Sequence, residues 1–378
     1  MIELLFLLLP VAAAYGYVMG KNNANNEAQQ QNQQIINEYS KGLKFLLDRE
    51  EDQGLEHLIS LLEISANSVE HYLTLATLFR RRGELDRAIK VHELLLKHNS
   101  LSLEQKKHVL YELAQDYMMA GLLDRAEDNL VYLYSLEDDN ALCQLMLLYL
   151  QSHDWDKGIA LFELKHIDFK SSQLKKTIAN FYCEKALLER NFKQLDEISD
   201  LTQDLVRPKY MLGENAFNEG DYLQAIKYWG SLLDKNTAFA PIFLDKLELS
   251  YEKLNLQKNY FSHLLKHLKN DNVLIKIHYC KNLMAQGKVD EAINYITQVL
   301  RKQPNIRGFS FLLTLMSEQS QDIKVVLTEI NKLVQDYIAT KALYQCNHCG
   351  FTSKKLYWFC PSCKHVESLV PLNGVDGF

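Results

Sequence analysis

The sequence predicts an all-α chain: repeated helix pairs form the body, an N-terminal transmembrane helix precedes it, and a small four-cysteine ribbon follows. Three observations lead there. In 378 residues Gly (15) and Pro (6) are scarce, which disfavours turn-rich β folds and favours helices joined by short turns. Small residues recur in pairs through the middle of the chain, and four of the seven cysteines gather near its C-terminal end. The length exceeds one ordinary domain, so a main body with appendages is expected.

The first element is the uncharged run from Leu4 to Gly20, LLFLLLPVAAAYGYVMG, about long enough to cross a hydrocarbon core. A cleaved signal peptide would want a positive n-region, yet Glu3 is the only charged side chain before the run. Ala12, Ala13 and Ala14 nevertheless mimic a cleavage site, and a buried helix is the third alternative. Residues 1–20 are read as an anchor. Lys21 favours the following side as cytoplasmic. Residues 21–34 hold ten Asn or Gln, with nothing to build a core, so they read as a polar tether.

Residues 35–338 repeat with a period of about 34. A small residue is followed twelve positions later by another: Gly42 and Gly54, Ala76 and Ala88, Ala114 and Ala126, Gly213 and Ala225, and more loosely Cys280 and Ala292. Met146 and Gly158 keep only the second half. Three positions beyond the first marker stands a large residue, as in Phe45, Phe79, Tyr117, Tyr149 and Leu283. Gly83, Gly121, Gly220 and Gly287 follow as turn residues. Two helices meeting at a short turn need this pattern, because small residues let the backbones approach and the large one wedges between them. The segments 72–100 and 110–134 resemble the tetratricopeptide repeat, so the predicted body is a tetratricopeptide-repeat superhelix, an architecture that binds partners. Segments 172–205 and 239–272 keep helical periodicity without the markers, and a further helical pair is expected near 307–338. The basic cluster Arg80, Arg81, Arg82 and Arg87 reads as a solvated helix end, with an acidic partner as the alternative.

The last element, residues 339–378, carries Cys346, Cys349, Cys360 and Cys363 in a Cys-x2-Cys-x10-Cys-x2-Cys pattern. Each pair can wrap one side of an ion, and two such knuckles complete a tetrahedron of sulfurs. Gly350 supplies a permissive backbone to the first knuckle and Pro361 stiffens the second. A closed shell of four soft ligands suits one structural zinc; iron is the alternative, since CNHCG and CPSC look like rubredoxin knuckles. Leu356, Tyr357, Trp358 and Phe359 are too apolar for a free loop and are expected to pack on the last repeat helix. His348 and His365 flank a shell already filled by sulfur.

A net charge of -6 offers no basic footprint, which excludes a nucleic-acid partner. Cys143, Cys183 and Cys280 are lone thiols in apolar helical stretches and read as buried core residues, the usage of a reducing compartment. His92 and Glu93 are followed by leucines, so no HExxH forms, and no P-loop, GxSxG or GxGxxG is present. No enzymatic activity is expected.

Anchor, repeats and ribbon in one chain resemble the lipopolysaccharide assembly protein B family of Gram-negative bacteria. The segments that carry the resemblance are ELLFLLLPVAAAYG (3–16), RGELDRAI (82–89), CGFTSKKLYWFCPSC (349–363) and NGVDGF (373–378). The resemblance implies an inner-membrane adapter with its bulk on the cytoplasmic side. Its implied partners are the membrane-anchored AAA+ protease FtsH, the UDP-3-O-acyl-N-acetylglucosamine deacetylase whose degradation it promotes, and an inner-membrane lipopolysaccharide-sensing protein. The alternative is a scaffold that assembles lipopolysaccharide synthesis or export enzymes without directing proteolysis. Cys346, Cys349, Cys360 and Cys363 carry over as metal ligands.

Overall fold

The computed structural model describes residues 69–97, 101–136, 138–165, 172–198, 204–319 and 322–378, with scattered positions between 19 and 44. The expected anchor at 1–20, the tether at 21–34 and the repeat copy around Phe45 therefore lie outside the described stretches. Among the described residues no helix is long and apolar enough to cross a membrane. Two compact units divide at Gln144 and Leu145.

The first unit holds α1 (Val69–Arg82), α2 (Leu85–Lys97), α3 (Leu103–Ala120) and α4 (Leu123–Ser135), together with the start of α5 (Asp139–Ser152). Ala76, Ala88, Ala114 and Ala126 are fully buried, and Phe79 and Tyr117 wedge beside them as the spacing requires. Ser102 starts α3 through a reciprocal capping box with Gln105. Arg80 departs from expectation. Instead of ending α1 in solvent, its guanidinium turns inward to Glu112 and, at 3.0 Å, to Asp116 on α3. Asp116 is itself fully buried and bonded to Nδ1 of His92 at 2.6 Å, so one carboxylate links α1, α2 and α3. A buried carboxylate needs such partners to offset its lost hydration.

The second unit continues through the rest of α5, then α6 (Trp155–Lys165), α7 (Ser172–Glu189), α8 (Lys193–Glu197), α9 (Val206–Glu219) and α10 (Tyr222–Lys235). A 3₁₀ turn (Thr237–Ile242) leads to α11 (Leu244–Lys253), α12 (Gln257–His267), α13 (Val273–Ala285), α14 (Val289–Lys302), α15 (Ile306–Gln319) and α16 (Lys324–Thr340). One of its cores gathers Trp229, Phe239, Phe243, Leu244, Tyr260 and Leu264. Burial of each such side chain is worth about 1.5–3 kcal/mol. Gly213 and Gly158 are small for a packing reason: a Cβ at the first would overlap the Trp229 indole, and at the second the Phe181 ring. Cys183 and Cys280 are buried as expected, but Cys143 is exposed.

The turn glycines Gly83, Gly121, Gly220 and Gly287 all adopt left-handed φ between 75° and 84°. The copies without a turn glycine use the same conformation at His153, Arg190 and Asn255, with φ of 62°, 51° and 57°. Residues 172–198 and 239–272 thus hold paired helices whose turns carry ordinary side chains in a position that favours glycine.

Candidate metal centre and its seat on the repeats

After α16 the chain forms a small antiparallel sheet of β1 (Tyr344–Cys346), β2 (Thr352–Ser353) and β3 (Leu369–Pro371), in the order β2-β1-β3. Tyr344 pairs with Ser353 on one side and with Pro371 on the other. The two Cys-x2-Cys turns hang from this sheet as near copies of each other. In the first, Gly350 N donates to Cys346 O and Cys346 N to Phe351 O, at 2.9 and 2.8 Å. In the second, Lys364 N donates to Cys360 O and Cys360 N to His365 O, both at 2.9 Å. Gly350 and Lys364 occupy the same left-handed position, at φ 77° and 62°. Backbone N–H groups drawn inward this way leave both cysteines of each turn facing one point.

The structure brings Cys346, Cys349, Cys360 and Cys363 together, all four Sγ lying within 4.8 Å of one another. Cys346 Sγ is 3.6 Å from Cys363 Sγ, and Cys349 Sγ is 3.7 Å from Cys360 Sγ. Disulfide sulfurs would approach to about 2.05 Å. Sulfurs at about 2.3 Å around a tetrahedral ion lie roughly 3.8 Å apart, so this donor set fits such an ion. Cys346 is prepared for it. Burial disfavours its thiolate, but the Ser368 hydroxyl and the N–H groups of Cys349 and His348 outweigh that and hold its pKa down, at about 6. Cys363 moves oppositely, to about 12, under burial and its neighbouring sulfurs. Stacked, uncoordinated thiolates repel, and a cation relieves this. His348 and His365 stack face to face, centroids 3.6 Å apart, beside the shell.

The ribbon's seat differs from expectation. Trp358 does not lie on the last repeat helix; it stacks on Phe239 of the 3₁₀ turn at 6.4 Å, and its ring lies 5.8 Å from that of Tyr210 on α9. The Arg207 guanidinium stands 5.8 Å from the same indole centroid. The reason is space: the Phe239 cluster has an open apolar flank, which Trp358 and Val370 cover. Leu356 turns back to the ribbon's own core and Tyr357 is exposed. It is Lys354 that reaches α16, donating to Ala339 O at 2.7 Å.

Glu367 makes the contact that local sequence could not reveal. Helix α9 begins without a side-chain cap on Leu205, so its first N–H groups need partners from elsewhere. Glu367 accepts from Arg207 N at 2.7 Å and from Val206 N at 3.4 Å, across 160 residues of chain. Pro208, next in the helix, has no N–H to satisfy. Burial raises the Glu367 pKa above its ordinary value, against the lowering effect of those two N–H groups. Below the ribbon, Asn305 donates to Gly374 O and Gly377 O at 2.8 and 3.2 Å, and Arg307 Nε donates to Gly377 O at 3.0 Å. Ile306 N meets Val375 O at 2.9 Å, and Phe378 lies under the Arg307 guanidinium at 4.4 Å. The ribbon and the residues after it thus bind α9, the 3₁₀ turn, α15 and α16.

Residues 344–371 match a family model described as a rubredoxin metal binding domain. The whole chain is 32% identical to lipopolysaccharide assembly protein B of Escherichia coli K12 over 389 aligned positions, covering 100% of both. It is 31% identical to the protein of that name from Haemophilus influenzae over 398 positions, again covering 100% of both. A tetratricopeptide repeat protein from Parabacteroides merdae aligns at 14% identity with a TM-score of 0.37, covering 66% of this chain and 100% of that one. Identity of 31–32% over the full length of both chains settles the membership: the chain belongs to the lipopolysaccharide assembly protein B family.

Proposed function

We propose that the protein is a non-enzymatic inner-membrane adapter in lipopolysaccharide assembly. It holds the UDP-3-O-acyl-N-acetylglucosamine deacetylase beside the membrane-anchored protease FtsH and promotes its degradation, under the control of an inner-membrane lipopolysaccharide-sensing protein. The observation that supports this reading is the end-to-end similarity to relatives named as lipopolysaccharide assembly proteins. Residues 1–20 anchor the chain, the bulk lies on the cytoplasmic side, and the repeats supply the binding surface. The physical principle is effective concentration: tethering both protease and substrate makes their meeting intramolecular without any catalysis by the tether. The ribbon holds one zinc on Cys346, Cys349, Cys360 and Cys363, because a closed shell of four thiolates leaves no position for water or substrate.

Depleting the protein in its host and following the deacetylase half-life tests this. A lengthened half-life is expected, and an unchanged one overturns the proteolytic role. Crosslinked complexes that contain synthesis or export enzymes but never the protease would instead identify a scaffold.

A further inference from the structure

On the face of the second unit, α12 carries His263 and His267 one helical turn apart, and both rings aim at Asp234 near the end of α10. Each Nε2 lies 2.9 Å from the same Asp234 Oδ1. Both imidazoles are nearly enclosed, at 11% and 10% side-chain exposure, while the carboxylate is 53% exposed. Gly230, one turn before Asp234, leaves room for the His263 ring, from which a Cβ there would stand 3.3 Å. The Tyr251 hydroxyl stands 3.4 Å from Nδ1 of His263. Nothing in the ribbon or the repeat packing requires two imidazoles to share one carboxylate oxygen.

We propose that Asp234, His263 and His267 form a second metal site, which takes an exchangeable divalent transition-metal ion of the zinc or cobalt class. The three donor atoms lie within 4.8 Å of one another. Nitrogen and oxygen ligands at about 2.0–2.1 Å in a tetrahedron stand roughly 3.3 Å apart. Each N···O pair of 2.9 Å therefore needs to open by only about 0.4 Å, within the reach of side-chain torsions. Metal binding moves each ring proton from Nε2 to Nδ1, and on His263 that nitrogen faces the Tyr251 oxygen, the kind of outer partner that orients a ligating imidazole. Two imidazoles and a carboxylate leave the fourth position to solvent, so the hold on the ion is looser than that of a closed four-ligand shell. Lys258 and Lys266 line the same depression and weaken its hold further, in contrast to the sulfur-closed ribbon. Occupancy clamps α10 to α12, which belong to successive helix pairs.

The other described histidine and carboxylate cluster differs in a decisive way. Asp245 and Glu248 take different nitrogens of the single His278 ring, at 3.2 and 3.0 Å, an arrangement that favours the imidazolium over a ligating imidazole.

The test uses the full chain with its ribbon already loaded with zinc, titrated with cobalt(II) alone. The wild type is expected to take up one further equivalent, with the weak visible band of a nitrogen and oxygen site and no sulfur charge-transfer band. His263→Asn with His267→Asn should lose that equivalent, and Asp234→Asn should weaken it by tenfold or more. In the wild type, cobalt should broaden the His263 and His267 ring resonances together, a readout that needs no variant. Absence of the second equivalent, equal uptake by the double variant, or broadening at other histidines overturns the proposal.

Discussion

Replacing Glu367 with alanine tests whether the ribbon completes helix α9. The substitution orphans two helix-start donors, Arg207 N at 2.7 Å and Val206 N at 3.4 Å from the carboxylate. The first is a short bond to an acceptor of a charged type, worth about 1.5–3 kcal/mol, and the second is too long to add much. Against this, Glu367→Ala relieves a carboxylate whose burial raises its pKa, so the net expected loss is about 2 kcal/mol. Glu367→Gln keeps an acceptor for Arg207 N and sheds the buried charge, so it should cost under about 1 kcal/mol. Urea unfolding of the metal-loaded chain, followed by helicity and by tryptophan fluorescence, measures both. Amide exchange at Arg207 provides the local readout and should quicken in the alanine variant. If both variants stay within about 0.5 kcal/mol of wild type, a surface-like response, the long-range cap is refuted.

Glu367 also predicts a pH dependence. Its folded pKa is raised above 4.5, so its contribution is fully present below that value and is lost as pH rises through the folded pKa; the stability of wild type relative to Glu367→Gln should therefore grow on acidification and level off below about 4.5. For His278, burial opposes the charge but Asp245 and Glu248 outweigh it and raise its pKa above 6.5. The margin of wild type over His278→Asn should accordingly shrink as pH rises above about 6.5, and a flat difference would contradict it. Gly213→Ala drives a methyl into the Trp229 indole and should destabilise by about 1–3 kcal/mol, measured by thermal unfolding against Gly83→Asn, whose Cβ meets no neighbour. Cys349→Ser should lose the ribbon's metal, measured by metal content per chain; retained stoichiometric metal would count against the four-sulfur site.

The parts of this molecule that were legible share one property, locality. Gly83, Gly121, Gly220 and Gly287 announce their turns because one residue type favours left-handed φ, and each cysteine turn is complete within six residues, Cys346 to Phe351 and Cys360 to His365. His153, Arg190 and Asn255 adopt the same backbone without that signature, so the copies they serve were seen as helical but lost their register. Cys143 and Arg80 depart from expectation because an apolar or basic neighbourhood does not say which way one side chain faces. The seat of Trp358 depends on Phe239 and Tyr210, more than a hundred residues upstream, and spacing within the ribbon carries no trace of them. The lone hint of the Glu367 contact was negative: a helix opening Leu205, Val206, Arg207, Pro208 with no cap of its own.

That uncapped start has a consequence for biosynthesis. A ribosome emits α9 long before it emits Glu367, 160 residues later, so the middle of the nascent body waits with its helix start open to water. The late ribbon is too small to hold its shape without an ion, and until it does so it offers no ordered carboxylate to α9. Metal supply is thereby tied to the maturity of a helix that touches no metal, and a chain made under metal starvation would show its defect far upstream, where a protease scanning for frayed segments meets it.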